Sequence, residues 1–147
     1  MIRIPSDFKE FLRLLNSRSV EYMLIGCYAV GFHGYPRPTG DMDIWISRSS
    51  ENAARVVRAL VDFGFEPSQA SAALFTQPDQ IIRMGMPPLR LVILTSVSGL
   101  DFGLCYPRRI VAEIDSVAIS IISREDLRIN KRASGRYKDL DDLEQLT

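Results

Sequence analysis

Leu24-Ile-Gly-Cys-Tyr-Ala-Val-Gly-Phe-His-Gly-Tyr-Pro-Arg-Pro-Thr-Gly-Asp-Met-Asp-Ile-Trp-Ile-Ser47 is the stretch of this 147-residue chain on which its fold turns. Tyr22 to Ile25 reads as a short apolar strand, Gly26 to Phe32 as a short helix, and Asp41 to Ser47 as a second strand. Asp41 and Asp43 are two apart, so in a strand they share one face, roughly 7 Å apart at Cα. Two carboxylates side by side in an apolar strand repel each other and lose hydration. A divalent cation between them, Mg²⁺ or Mn²⁺, relieves both costs, so Asp41 and Asp43 are the candidate metal ligands. A surface pair on a sheet edge is the plainer alternative for any lone Asp-x-Asp.

The residues before the pair suit phosphate. Gly26, between strand and helix, lets the backbone approach an anion, and the helix start offers N–H donors around Cys27. Arg37 adds a planar cationic fork. Thr39 can bond a phosphate or orient the turn into the strand. His33, the single histidine, reads as a packed residue at a helix end. Trp45 reads as core.

The flanking periodicities set the rest. Phe8, Phe11, Leu12 and Leu15 predict an amphipathic helix over 7–17, with Asp7 and Glu10 spaced as a capping box. Ser49 or Ser50 can cap a helix through Phe63 that buries Ala53, Val56, Val57, Leu60 and Val61. Ser71 to Phe75 fits a short helix. Gln80–Met84, Leu89–Leu94, Arg109–Ile114 and Val117–Ile122 read as strands. Ser123 caps a helix ending near Gly135, and a last helix covers about Lys138 to Leu146. The order predicts an α+β class: a mixed β-sheet with helices packed on it.

Length and composition predict one domain over 1–147 with a sizeable core. The formal net charge is zero, so no bulk field draws the chain to nucleic acid or membrane. Cys27 and Cys105 lack metal-type spacing and read as free thiols of a reducing, cytoplasmic setting. The first residues lack a signal peptide's apolar core, and no apolar run approaches the ~20 residues that span a bilayer.

Gly26, Cys27, Ala29, Gly34, Arg37, Thr39, Asp41 and Asp43 resemble, in place, the signature of the polymerase-β-like nucleotidyltransferase superfamily. Cys27 stands where glycine or serine is usual. Lys131, Gly135, Arg136, Lys138, Asp139 and Asp142 resemble a second motif, found in small bacterial and archaeal members that include toxins of abortive-infection and toxin–antitoxin systems. The resemblance implies the nucleotidyltransferase fold and an NTP with Mg²⁺ as ligands. It further implies nucleotidyl transfer to an acceptor, which could be tRNA, a protein or a small molecule. Asp41, Asp43 and Lys131 are the implied catalytic residues; Gly26, Cys27, Arg37, Thr39, Lys131 and Lys138 are the implied nucleotide contacts. A second protein chain as partner is also compatible with it.

One position departs from the pattern. The family's third carboxylate sits in a strand of the form R-h-D-h-h-T, and Arg90-Leu-Val-Ile-Leu-Thr95 places Val92 there. No Asp or Glu occurs from Gln80 to Leu100, so no register shift supplies one. Losing a metal ligand and proton acceptor costs ~10²–10⁴ in rate. The sequence therefore leaves two functions open: a transferase, or a weakened nucleotide-binding or antitoxin-like module.

Overall fold

The computed structural model describes residues 3–36, 39–69, 71–86 and 89–146. The helices are α1 (Ser6–Ser17), α2 (Gly26–Phe32), α3 (Ser50–Phe63), α4 (Ala72–Thr76), α5 (Phe102–Cys105), α6 (Arg124–Ser134) and α7 (Tyr137–Gln145). The strands are β1 (Tyr22–Ile25), β2 (Asp41–Ile46), β3 (Ile81–Met86), β4 (Leu89–Leu94), β5 (Ile110–Ile114) and β6 (Val117–Ile121). Among the described residues the strands form one mixed sheet in the order β3-β4-β2-β1-β6-β5. β2 runs antiparallel to β1 and parallel to β4, while β1 runs parallel to β6.

β1 is buried along its whole length, as an apolar strand covered on both faces must be. The stripe of α1 (Phe8, Phe11, Leu12, Leu15) is buried, and α1 packs against α3 and β6. Ser49 caps α3 by accepting from the Asn52 N–H at 3.1 Å. The buried Asn52 side chain then bonds the Glu21 N–H, the Glu21 carbonyl and the Ser47 carbonyl. One amide thus ties the start of β1 to the end of β2 and satisfies backbone groups that burial would otherwise leave unpaired.

Two local expectations change. Pro5, not Asp7, stands at the N-cap of α1, and no side chain caps it. Glu10 instead pairs with Arg13, so the Asp7/Glu10 spacing is not a capping box. The stretch after β4, to which no element was assigned, holds a helical turn: Asp101 caps the four-residue α5 by accepting from the Leu104 N–H at 3.2 Å. Phe102 from that turn meets the buried Trp45 edge-on at 5.2 Å, which confirms Trp45 as core. His33 ends α2, and its Nε2 lies 2.8 Å from the Ile122 carbonyl, which makes Nε2 the protonated nitrogen. Burial lowers its pKa, and the ring is a packing residue rather than a base.

Candidate nucleotide site

Asp41 and Asp43 open β2, and the strand register decides what surrounds them. Asp43 lies opposite Ile25 of β1 and Val92 of β4; Asp41 lies opposite Arg90. β3 extends the rows, with Arg83 opposite Val92 and Gly85 opposite Arg90. A cleft of about 470 Å³ opens over this surface, a size that suits a small ligand. Its walls include Gly26, Cys27, Asp41, Asp43, Arg83, Val92, Lys131, Arg136 and Lys138.

Gly26 determines where Asp43 sits. Its φ is +70°, and an added Cβ would collide with Asp43 Oδ2 and come within 2.9 Å of Asp43 Cγ. Only a residue without a side chain combines this turn with so close an approach. Changing Gly26 to Ala is expected to destabilise the fold by about 1–2 kcal/mol and to turn the Asp43 carboxylate away from the cleft. Denaturant unfolding measures the first effect and a crystal structure of the variant the second. Burial pushes the Asp43 carboxyl above its ordinary pKa, and the charge of Asp41 adds to the rise; Lys131, Lys138 and Arg136 partly offset both.

Asp41 has a partner. Arg90 Nε donates to Oδ1 at 3.2 Å and Arg90 Nη2 to Oδ2 at 3.1 Å, a two-bond fork. Both side chains are part-exposed, so the pair adds little stability. Its weight lies in engaging both oxygens of one of the two acids. Thr39 Oγ1 accepts from the Asp41 N–H at 3.2 Å, so Thr39 orients the turn into β2. Arg37 lies outside the described residues.

The C-terminal motif builds a buried ionic cluster. Gly135, at φ +68°, ends α6, and α7 folds back so that Asp139 and Asp142, three apart, face Lys131. Lys131 Nζ reaches Asp139 Oδ1 at 3.2 Å and Asp142 Oδ2 at 3.1 Å, with all three residues buried. Arg136 Nε donates to Asp139 Oδ2 at 2.6 Å. Burial raises the Asp139 carboxyl, but hydrogen bonds from Arg136 and Lys131 and their charges outweigh it, so the net shift is downward. Lys131 does line the cleft, yet its charge is already shared by two carboxylates. Lys138 is exposed on the cleft wall and has no hydrogen-bond or ion-pair partner among the described residues. Sequence reading missed Arg83 as a wall of the cleft and Arg90 as the partner of Asp41, because only the β3–β4–β2 register brings them there; Arg136, matched in the second motif, was given no place in the site. Cys27 and Cys105 are buried and take part in no disulfide among the described residues.

For the cations that the resemblance implies, the donor set does not fit a two-metal centre. No group of three or more His, Cys, Asp or Glu suited to a metal occurs among the described residues. Val92 is the strand neighbour of Asp43 where a third acid would stand, and Arg90 engages both oxygens of Asp41.

No protein-family model matches the chain, and no curated protein matches it in sequence. Solved structures do match it. A "putative nucleotidyltransferase" from Thermotoga maritima superimposes with a TM-score of 0.63 at 14% identity, over 93% of this chain and 88% of that one. An antigenic nucleotidyltransferase-like protein from Paracoccidioides brasiliensis superimposes with a TM-score of 0.55 at 19% identity, over 97% of this chain and 75% of that one. No described helix is long and apolar enough to cross a membrane. The mixed six-stranded sheet with its packed helices is therefore the nucleotidyltransferase fold.

Proposed function

We propose that the cleft binds a nucleoside triphosphate through its phosphates, and that this chain is a nucleotidyltransferase-like protein whose transfer step is weakened relative to binding. The observation that carries this reading is the pairing of Asp43 with Val92. The two acids of β2 remain in a cleft walled by Arg83, Arg136 and Lys138. Beside them, a hydrocarbon side chain can neither hold a cation nor accept a proton. Cations on the wall attract a triphosphate, whereas attack on its α-phosphorus by an acceptor hydroxyl, with pyrophosphate as the leaving group, lacks its proton acceptor. Gly26 and the following N–H groups, with Lys138, are the proposed phosphate contacts; Lys131 contributes charge from the cleft floor. Magnesium enters as the cation that the nucleotide carries in solution.

Calorimetry with ATP, GTP, CTP and UTP in magnesium buffer tests binding; α-labelled nucleotides with tRNA and protein acceptors test transfer. Micromolar binding with slow or undetectable transfer is the expected pattern. Asp43→Asn should abolish any residual transfer while leaving binding within a few-fold. Failure of all four nucleotides to bind would refute the proposal.

A second reading, an antitoxin-like module that docks on a partner chain, draws on α7. Tyr137 and Leu140, three apart on one helix face, are 94% and 45% exposed. Co-purification with the product of a neighbouring gene, lost in Tyr137→Ser, would favour it.

A further inference from the structure

The charges on the sheet face differ from those of a site built to hold metal. Across the strands, one row reads Asp43, Val92, Arg83 and the next reads Asp41, Arg90, Gly85. Strand spacing places Arg83 and Asp43 about 10 Å apart at Cα, with only Val92 between them. Arg83 is exposed, lines the cleft, and has no hydrogen-bond or ion-pair partner among the described residues. Gly85 carries no side chain, so the outer flank of Arg90 is uncrowded along that row.

The Asp41–Arg90 fork has a directional consequence. It uses one N–H on Nε and one on Nη2. A guanidinium has five N–H donors, so three remain for another acceptor. Asp41 fixes the plane of the group, and a planar, oriented fork matches phosphate oxygens in pairs. In this arrangement Asp41 is a positioning residue for Arg90. The loss of the third acid and the presence of two guanidinium groups beside its position act in the same direction. Both exchange oxygen donors for N–H donors.

We infer that Arg83 on the cleft wall and Arg90 beside Asp41 hold the phosphates of the bound nucleotide by N–H donation in place of divalent metal ions, so that this cleft binds a nucleoside triphosphate without a divalent cation. The inference rests on the nucleotide reading above and deepens it. Asp43 and Asp41 on the same sheet face match the charges of Arg83 and Arg90, so the two arginines contribute directed N–H donors, and Lys138, which also lines the cleft, adds positive charge.

Titration of the full chain with ATP, once in magnesium and once in EDTA, tests this directly. The expected dissociation constants agree within about threefold between the two buffers. Arg83→Ala and Arg90→Ala should each weaken binding in EDTA about tenfold. Arg90→Lys should not restore it, since an ammonium cannot bond Asp41 and phosphate through one plane. Asp41→Asn should weaken binding in EDTA less than Arg90→Ala does. Arg83 is exposed, so its variant keeps the fold, which circular dichroism verifies. Binding in magnesium that disappears in EDTA would overturn the inference and leave the nucleotide reading standing, as would arginine variants that bind like the parent. Absence of binding in both buffers would overturn both.

Discussion

Replacing Lys131 with alanine is expected to cost about 3–5 kcal/mol of folding free energy, because it removes the ammonium shared by the carboxylates of Asp139 and Asp142 in a buried site. At this chain length each kcal/mol moves the melting temperature by roughly 2–4 °C, so a fall on the order of 10 °C should appear in a thermal scan. Urea unfolding gives the same loss as an earlier midpoint with an unchanged slope. Lys138→Ala, at an exposed position of the same motif, is the contrast and should stay within about 0.5 kcal/mol of the parent. Adding Asp142→Asn to Lys131→Ala should recover part of the loss, since one negative charge then leaves the interior. A single-variant effect below about 1 kcal/mol would mean that the cluster does not hold α6 to α7.

The same cluster sets a pH dependence. The Asp139 carboxyl is held below its ordinary value in the fold. A depressed acid contributes stability that is fully present above its unfolded pKa, about 3.9, and is lost as pH falls through the folded value. The parent should therefore lose stability steeply below about pH 4. Asp139→Asn should start less stable at neutral pH and show a shallower acid limb.

Val92→Asp should raise nucleotidyl transfer by about 10²–10⁴-fold in magnesium buffer. The residue sits beside Asp43 in register, is 6% exposed and lines the cleft, so the new carboxylate would join the two on β2. It would also meet a like charge, which raises the pKa of neighbouring carboxyls and lowers stability in EDTA. Magnesium should reverse that loss, and the parent should show no such reversal. Arg83 flanks the same position and competes as an ion-pair partner for the new acid. Combining Val92→Asp with Arg83→Ala should therefore increase magnesium affinity further. A variant that gains neither magnesium affinity nor transfer would show that the missing acid is not what limits this protein.

The elements were legible where burial repeats with a simple period. Phe8, Phe11, Leu12 and Leu15 are the buried stripe of α1, and Tyr22–Ile25 and Gly26–Phe32 match β1 and α2. The shared face of the acid pair follows from alternation along β2, whereas the valine in the third position was legible only through the resemblance. What could not be read was the lateral arrangement. Nothing in the local pattern of β3 says that Arg83 lies against Val92, because that depends on pairing across a turn. Nor does spacing alone reveal that Asp139 and Asp142 neutralise Lys131, a contact made only when Gly135 adopts a left-handed backbone. The resemblance pointed to Lys131 as a phosphate ligand; burial shows that it is also the counter-charge that lets two acids share the interior. Helix α5 was missed because four residues are too short to show a period.

The parallel pairing of β1 with β6 bears on how the chain is made. Leu24 of β1 meets Ile121 of β6, so the centre of the sheet joins segments separated by most of the sequence. Contacts of such range carry a large loop-closure cost and slow folding. During synthesis, β1, β2 and β4 can associate while the β6 side of β1 stays uncovered until the last third of the chain has left the ribosome. That uncovered edge is a template for pairing with another chain. A fragment ending before Val117 should therefore accumulate as aggregate and not as a smaller soluble domain.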